Sequence, residues 1–184
     1  MPEALKIILF SMAATTIYGI LHDQVTAHLC VEYFTIAHPM IIPTRSPFIL
    51  AIFWGVFATW WVGFFLGAAL AVAAQVGPGP KLSAADLVRP ILAVMILSGV
   101  AALLAGAVGA TLMAHGLVSL DGWLAEVIPA DRHVVFFADA SAHMTSYAAG
   151  GLGGLAVIAL TIWRRVRAAA QARREAAAQD SRSG

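Results

Sequence analysis

Four long apolar segments constrain the fold of this chain more than any other feature. They cover about residues 4–22, 47–76, 87–115 and 134–163, and short polar or glycine-rich connections separate them. A helix needs about 20 apolar residues to cross a bilayer, and lipid offers backbone groups no hydrogen-bond partner outside the helix. The sequence therefore predicts an all-α fold, a four-helix transmembrane bundle that forms a single domain over residues 1–166, with a cytoplasmic tail over 167–184.

The composition supports a membrane protein and argues against other classes. Apolar residues make up 60% of the chain and charged residues 11%, against roughly half and a quarter in soluble domains. A net charge of +1 without a basic patch gives no reason to expect nucleic-acid binding. The first segment follows Lys6 and could be a signal peptide, but no small-residue cleavage site precedes the next polar stretch, so a span is favoured.

The connections and the small residues indicate how the spans are joined and packed. The GPGPK stretch at 77–81 is a turn, and Ser83 with Asp86 predicts a capping box at the start of the third span. Gly63 and Gly67 form a GxxxG step in the second span, and further glycines recur in the third and fourth. Small residues let helices approach closely in lipid, and packing within the bundle is favoured over an oligomer interface.

The positive residues predict the orientation. Nine of the eleven fall on one side of a four-span topology and only Arg45 and Arg132 on the other, the nine being Lys6, Lys81, Arg89, Arg164, Arg165, Arg167, Arg173, Arg174 and Arg182. Because positive residues stay in the cytoplasm, we expect a multi-pass protein of the bacterial inner membrane with both termini cytoplasmic.

A polar stretch interrupts the apolar pattern directly after the first span. LHDQVTAHLCVEYFTIAHP, residues 21–39, contains His22, Asp23, His28, Glu32 and His38. The spacing of four between His28 and Glu32 puts them on one helix face. We expect residues 23–37 to form an interfacial helix at the outer end of the bundle.

A second pair of polar residues lies inside the fourth span. Asp139 and His143 are four residues apart, and at 1.5 Å per residue Asp139 lies about 9 Å into a helix that begins near residue 133. This depth places the pair in the same membrane half as the first polar stretch. An ionisable group in a span faces protein rather than lipid, and it is a functional-site candidate by default.

Together the two stretches predict a metal site. Imidazoles and carboxylates suit zinc, iron, manganese or copper, and the candidate ligands are His22, Asp23, Glu32, His38, Asp139 and His143, with His28 less secure. Glu32 or Asp23 could act as general base on a metal-activated water. The Glu-x-x-His repeat of di-iron bundles and the HExxH motif are both missing from the sequence. A buried structural ion pair between Asp139 or His143 and the first span is the alternative, and Cys30 is either a soft ligand or an apolar filler.

Three functions remain open from the sequence alone. The favoured one is a membrane metalloprotein; whether it is an enzyme stays open, and hydrolysis and metal-dependent oxidation are the two reactions considered. The alternatives are a small transporter or metal-handling subunit, and a structural accessory subunit of a membrane complex. Lipid is the expected surrounding of the chain, and an oligomer or a larger complex is compatible with every one of these functions.

The stretches HDQVTAHLCVEYFTIAHP and ATWWVG, with the late DxxxH span, resemble a family of small, uncharacterised four-span bacterial integral membrane proteins. The resemblance covers most of the chain, including KLSAADLVRP, and implies the membrane architecture but no particular activity. It also implies that arginine can stand at position 28, which makes His28 the least secure ligand.

Overall fold

A computed structural model describes residues 1–183, and these fold into helices without any strand. The helices are α1 (Glu3–Leu29), α2 (Val31–Thr35), α3 (Pro47–Phe57), α4 (Trp60–Gln75), α5 (Ala84–Ala114), α6 (Trp123–Val127) and α7 (His133–Ser183), with a 3₁₀ turn at Ala130–Arg132 before α7. Four stretches are long and apolar enough to cross a membrane: Glu3–Leu29, Pro47–Gln75, Ala84–Ala114 and Ala130–Ser181. The predicted all-α bundle is confirmed.

The second span is two helices rather than one. α3 ends at Phe57 and α4 begins at Trp60, so the chain turns at Ala58 and Thr59. The Thr59 hydroxyl donates to the carbonyl of Gly55, which competes with the regular helical pattern at this point. This interruption was not predicted from the sequence, because the residues on both sides are equally apolar.

Glycines on α3 and α4 bring both helices into backbone contact with α1. A Cβ atom on Gly55 would lie 2.5 Å from the Cα of Ile20, and one on Gly63 would lie 2.8 Å from the Cα of Met12. A Cβ on Gly67 would lie 2.7 Å from the Cβ of Ser11 and 3.2 Å from the Cα of Ile8. The GxxxG step therefore packs inside the bundle, as predicted, and it fixes α1 as the helix against which the second span lies.

α5 and α7 form the other closely packed pair. Gly106 and Gly109 of α5 face α7, where a Cβ on Gly109 would lie 2.6 Å from the hydroxyl of Ser141. The predicted capping box is present at the start of α5: the Asp86 amide donates to the Ser83 hydroxyl, and the Ser83 amide donates to the Asp86 carboxylate. This cap fixes the point at which the third span begins.

The corner after the first span differs from the expected interfacial helix. α1 continues to Leu29, so Asp23 belongs to the first span, and the helix breaks only at Cys30, where φ is −144°. A much shorter helix, α2, follows. The residues from Gln24 to Leu29 contain neither glycine nor proline, so nothing in the sequence ends α1 earlier. We call this end of the bundle, which consists of the corner and the start of α7, the site end.

At the opposite end, Arg165 of α7 ties the turn after α4 to the fourth span. Its guanidinium is buried and donates to the carbonyl oxygens of five residues, Ala73, Val76, Gly77, Gly79 and Pro80. The last carbonyls of α4 have no partner within their own helix, and a cation there also offsets the negative end of the helix dipole. One side chain thus satisfies five carbonyls at the end of α4 and in the turn after it.

Candidate metal centre

α1 and α7 bring three of the predicted ligands together at the site end. The side chains of His22, Asp23 and His143 each offer one ligand atom, and these atoms all lie within 4.8 Å of one another. Asp23 is 6% exposed and His143 only 2%. The group can therefore hold a metal ion out of contact with bulk water.

The hydrogen bonds of His143 define the role of each ring nitrogen. Nδ1 lies 3.0 Å from the backbone oxygen of Asp139, which only accepts, so Nδ1 carries a proton. Nε2 lies 3.3 Å from Oδ1 of Asp23. If Asp23 is ionised and no ion is bound, Nε2 must also be protonated, and His143 is then a cation.

The same geometry suits a metal ligand. Metal-binding histidines usually donate the second ring N–H to a carbonyl or carboxylate, which leaves the other nitrogen for the metal; His143 has this arrangement. Two ligands of a tetrahedral zinc, each about 2.0–2.1 Å from it, lie roughly 3.3 Å apart. Nε2 of His143 and Oδ1 of Asp23 are separated by 3.3 Å, so a metal can replace the proton between them.

His22 offers a further free nitrogen beside this pair. Its Nε2 is buried and has no hydrogen-bond partner among the described residues. The His22 ring lies edge-on to that of His143, with centroids 4.6 Å apart, and it stacks on Tyr18 at 5.9 Å. A buried nitrogen without a partner costs free energy unless a ligand or an ion completes it.

Tyr18 was not among the residues that the sequence analysis selected. Its hydroxyl lies 2.6 Å from that of Ser146 on α7, so it links the two helices that carry the site. The signal that could have identified it is its spacing of four from His22, which places both on one face of α1. Tyr18 is therefore a positioning residue for His22.

Asp139 lies next to the three-residue group but outside it. Its Oδ1 is 3.7 Å from Nδ1 of His143, and neither carboxylate oxygen accepts a hydrogen bond from any described residue. Asp139 is 3% exposed. Two buried carboxylates, Asp23 and Asp139, thus surround a single imidazole that can carry at most one positive charge, and this excess of negative charge favours a bound cation or bound protons.

Aromatic rings close the site toward the loops. Tyr33 of α2 stacks on His143 with centroids 4.4 Å apart, and Phe34 approaches the same ring at 5.6 Å. Burial and the neighbouring acids raise the pKa of the Tyr33 phenol, so it stays protonated at neutral pH. These rings exclude water and strengthen the electrostatic interactions inside the site.

Two further predicted ligands, Glu32 and His28, have other partners. Glu32 accepts hydrogen bonds from Arg132 at 3.1 and 3.2 Å, and Arg132 also donates to the carbonyl of Leu29 at the end of α1. Burial acts to raise the pKa of Glu32, but hydrogen bonds from its own backbone amide and from Arg132 lower it overall. His28 bonds to the carbonyl of Gln24. Their roles as ligands, and that of Glu32 as a base, stay predictions without a contact to the group.

His38 lies beside the aromatic layer. Its Nδ1 is 2.8 Å from the carbonyl oxygen of Tyr33, and its ring centroid lies 4.6 Å from that of Trp54. These contacts anchor the loop after α2 to the second span. His38 lies outside the three-residue group, and its role as a ligand stays a prediction, as does that of Glu32.

Cys30 fills an apolar pocket at the corner between α1 and α2. It packs with Ile128 and Phe136, and burial raises the pKa of its thiol to about 12. Only the thiolate binds metals strongly. Of the two roles considered for Cys30, apolar filler is the one that its surroundings favour.

Replacing Asp139 by asparagine is expected to stabilise the metal-free protein. The substitution keeps the shape of the side chain but removes a buried carboxylate that accepts no hydrogen bond, which we expect to raise the free energy of unfolding by about 1–3 kcal/mol. Thermal unfolding in detergent and EDTA measures the change. Asp121→Asn is the matched control, because Asp121 is exposed. An equal or lower melting temperature for Asp139→Asn would show that the carboxylate is already compensated.

No protein-family model matches the chain, and neither a curated protein nor a solved structure matches it, so the chemistry of the site has to be inferred from its own residues.

Proposed function

We propose that this protein is a membrane metalloenzyme that binds a divalent ion through His22, Asp23 and His143. Zinc, iron, manganese and copper all accept this combination of imidazole and carboxylate ligands. The proposal includes the orientation expected from the positive residues, with both termini in the cytoplasm of a bacterium and the site end in the periplasmic half of the inner membrane. It also includes membership of the small four-span bacterial family.

One observation carries the proposal: a buried imidazole that donates through Nδ1 to a carbonyl faces an acid with its Nε2 across 3.3 Å, beside a second imidazole whose Nε2 has no partner. A purely structural ion pair would explain the contact between Asp23 and His143. It would not explain why Nε2 of His22 and both carboxylate oxygens of Asp139 are buried next to that pair without hydrogen bonds. An ion bound by the group would compensate both the free nitrogen and the excess negative charge.

The arrangement assigns a separate role to Asp139. It lies on the Nδ1 side of His143, away from the nitrogen that faces Asp23. A metal in the group would act as a Lewis acid and lower the pKa of a bound water. Asp139 lies across the His143 ring from that ion, so its carboxylate acts on His143 electrostatically rather than as a base on the bound water.

Transport is less well supported by the same residues. Among the described residues, the buried polar side chains between the site and the opposite end are the hydroxyls of Ser11, Ser98, Ser146 and Thr161, and the one buried charge there, Arg165, is bonded to carbonyls. In the part of the chain that the structure describes, no series of acids or histidines continues from the site toward the opposite end. A site closed on one side favours chemistry over passage of an ion.

Metal analysis of the detergent-purified protein tests the proposal. We expect about one divalent ion per chain, its removal by EDTA, and recovery of thermal stability when one of the four candidate metals is added back. Saturation at 100 times the dissociation constant corresponds to about 2.7 kcal/mol of stabilisation. A folded protein that contains no metal and gains no stability from zinc, iron, manganese or copper would overturn the proposal.

A further inference from the structure

An apolar cavity of about 460 Å³ lies between α1, α5 and α7 at the same level as the candidate metal centre. Most of its wall is made of aliphatic and small side chains, among them Leu21, Val25, Ala102 and Leu103. Its volume is within the range of sites for small ligands. Leu21, Val25 and Leu103 are also among the exposed large side chains, so the cavity opens on the lipid-facing surface.

The cavity exists because α1 and α5 separate toward the site end. At the opposite end Ile7 of α1 packs with Leu87 and Ile91 of α5 in one core cluster. Nearer the site, the residues of α5 that line the cavity are small except for Leu103: they are Gly99, Ala102, Gly106, Ala107 and Ala110. The gap therefore follows from the sequence of α5.

The polar end of the cavity points to a ligand. His22 and Asp139 both line it, and they carry the buried nitrogen and the two buried carboxylate oxygens that have no hydrogen-bond partner. Asp139 is 3% exposed, so its carboxylate cannot be satisfied by bulk water. A molecule that fills the apolar part can place a polar group against Asp139, whereas Nε2 of His22 is available to it only when no ion is bound.

We propose that this cavity binds a lipid-phase molecule that has one long apolar chain and a hydroxyl-bearing, uncharged head group. The chain would occupy the apolar part after lateral entry from the bilayer, and the hydroxyl would donate to Asp139. An anionic head would be repelled by Asp23 and Asp139. A water-soluble substrate would gain no binding free energy from contact with the apolar wall. A role of this molecule as substrate rests on the proposed metal site, whereas its binding does not.

Two sources share this chemistry, a quinol with an apolar tail and a long-chain alcohol. We would therefore use a decyl-substituted benzoquinol and 1-hexadecanol as probes, with palmitate as the probe that has a comparable chain and an anionic head. Native mass spectrometry of the detergent-solubilised, EDTA-treated protein measures the adduct. We expect one bound molecule of at least one hydroxyl probe, with at least tenfold weaker binding of palmitate, and the better probe identifies the source.

Filling the cavity provides the matched comparison. Ala107→Phe is expected to weaken the adduct at least tenfold, while Leu104→Phe, on the same helix at a residue that is 63% exposed and outside the cavity wall, should leave it unchanged. Ala110→Leu replaces Ala107→Phe if that variant does not fold, as judged by its helical circular dichroism. Equal binding to wild type and to the filled variant, or no adduct with either hydroxyl probe, would overturn the inference.

The same preparation separates this inference from the proposed function. Adduct formation by a protein that binds no metal would support the cavity and refute the metal site. A protein that binds metal but neither hydroxyl probe would refute the cavity alone.

Discussion

His143→Gln is expected to remove the metal from the purified protein and to weaken metal binding by at least 100-fold. Glutamine has a similar volume but lacks the ring nitrogen that faces Asp23 at 3.3 Å. The substitution also leaves Asp23 buried without its hydrogen-bond partner, so the metal-free variant should unfold at a lower temperature than the metal-free wild type. Elemental analysis, a competition assay with a chelator of known affinity and thermal unfolding measure the three effects.

His28→Gln is the matched control for this substitution. His28 lies five residues after Asp23 on the same helix, but its ring bonds to the carbonyl of Gln24 and lies outside the three-residue group. We expect the control to keep the metal content and the affinity of the wild type. Unchanged metal content in a folded His143→Gln variant would show that α7 does not contribute a ligand.

Arg165→Ala is expected to produce the largest loss of stability of any single substitution at the opposite end. Arg165 donates to the carbonyl of Pro80 at 2.9 Å and to that of Val76 at 2.6 Å, and three further carbonyls depend on the same guanidinium. Losing hydrogen bonds from a buried cation and leaving several carbonyls without partners should cost about 3 kcal/mol or more. Thermal unfolding in detergent measures the loss.

Two further variants test this explanation. Arg164→Ala removes a neighbouring but exposed cation, and it should change the melting temperature little. Arg165→Lys should recover only part of the stability, because an ammonium group cannot span the carbonyls that the planar guanidinium reaches. A melting temperature of Arg165→Ala equal to that of Arg164→Ala would show that water can replace the guanidinium.

The overall fold could be predicted from the sequence because the bilayer leaves few alternatives. Four apolar segments of sufficient length have to be helices, and the Ser83–Asp86 box is local, so its geometry follows from four consecutive residues. The break at Ala58 and Thr59 could not be predicted in this way. It follows from the bond between the Thr59 hydroxyl and the Gly55 carbonyl, and a threonine in an apolar run does not by itself indicate whether its hydroxyl makes that bond.

The candidate site was predictable only in part, because local spacing does not reveal contacts between residues that are distant in the sequence. The spacing of Asp139 and His143 is a property of one helix, and equal depth suggested that they approach the first polar stretch. The partner of Glu32, in contrast, is Arg132, 100 residues away, and nothing near Glu32 in the sequence indicates that it is already paired. The sequence identified Arg165 only as one of the positive residues that predict the orientation. Its carbonyl partners lie at the end of α4 and in the turn after it, far from Arg165 in the sequence.

The division of the three candidate ligands between the first and the last helix has a consequence for biosynthesis. His22 and Asp23 enter the membrane with the first span, but His143 follows only when the last one is made. A nascent chain with three inserted spans cannot yet hold the ion at full affinity. If the group binds an ion as proposed, loading with metal follows insertion of the last span, and a truncated product that lacks the last helix would bind the ion only weakly.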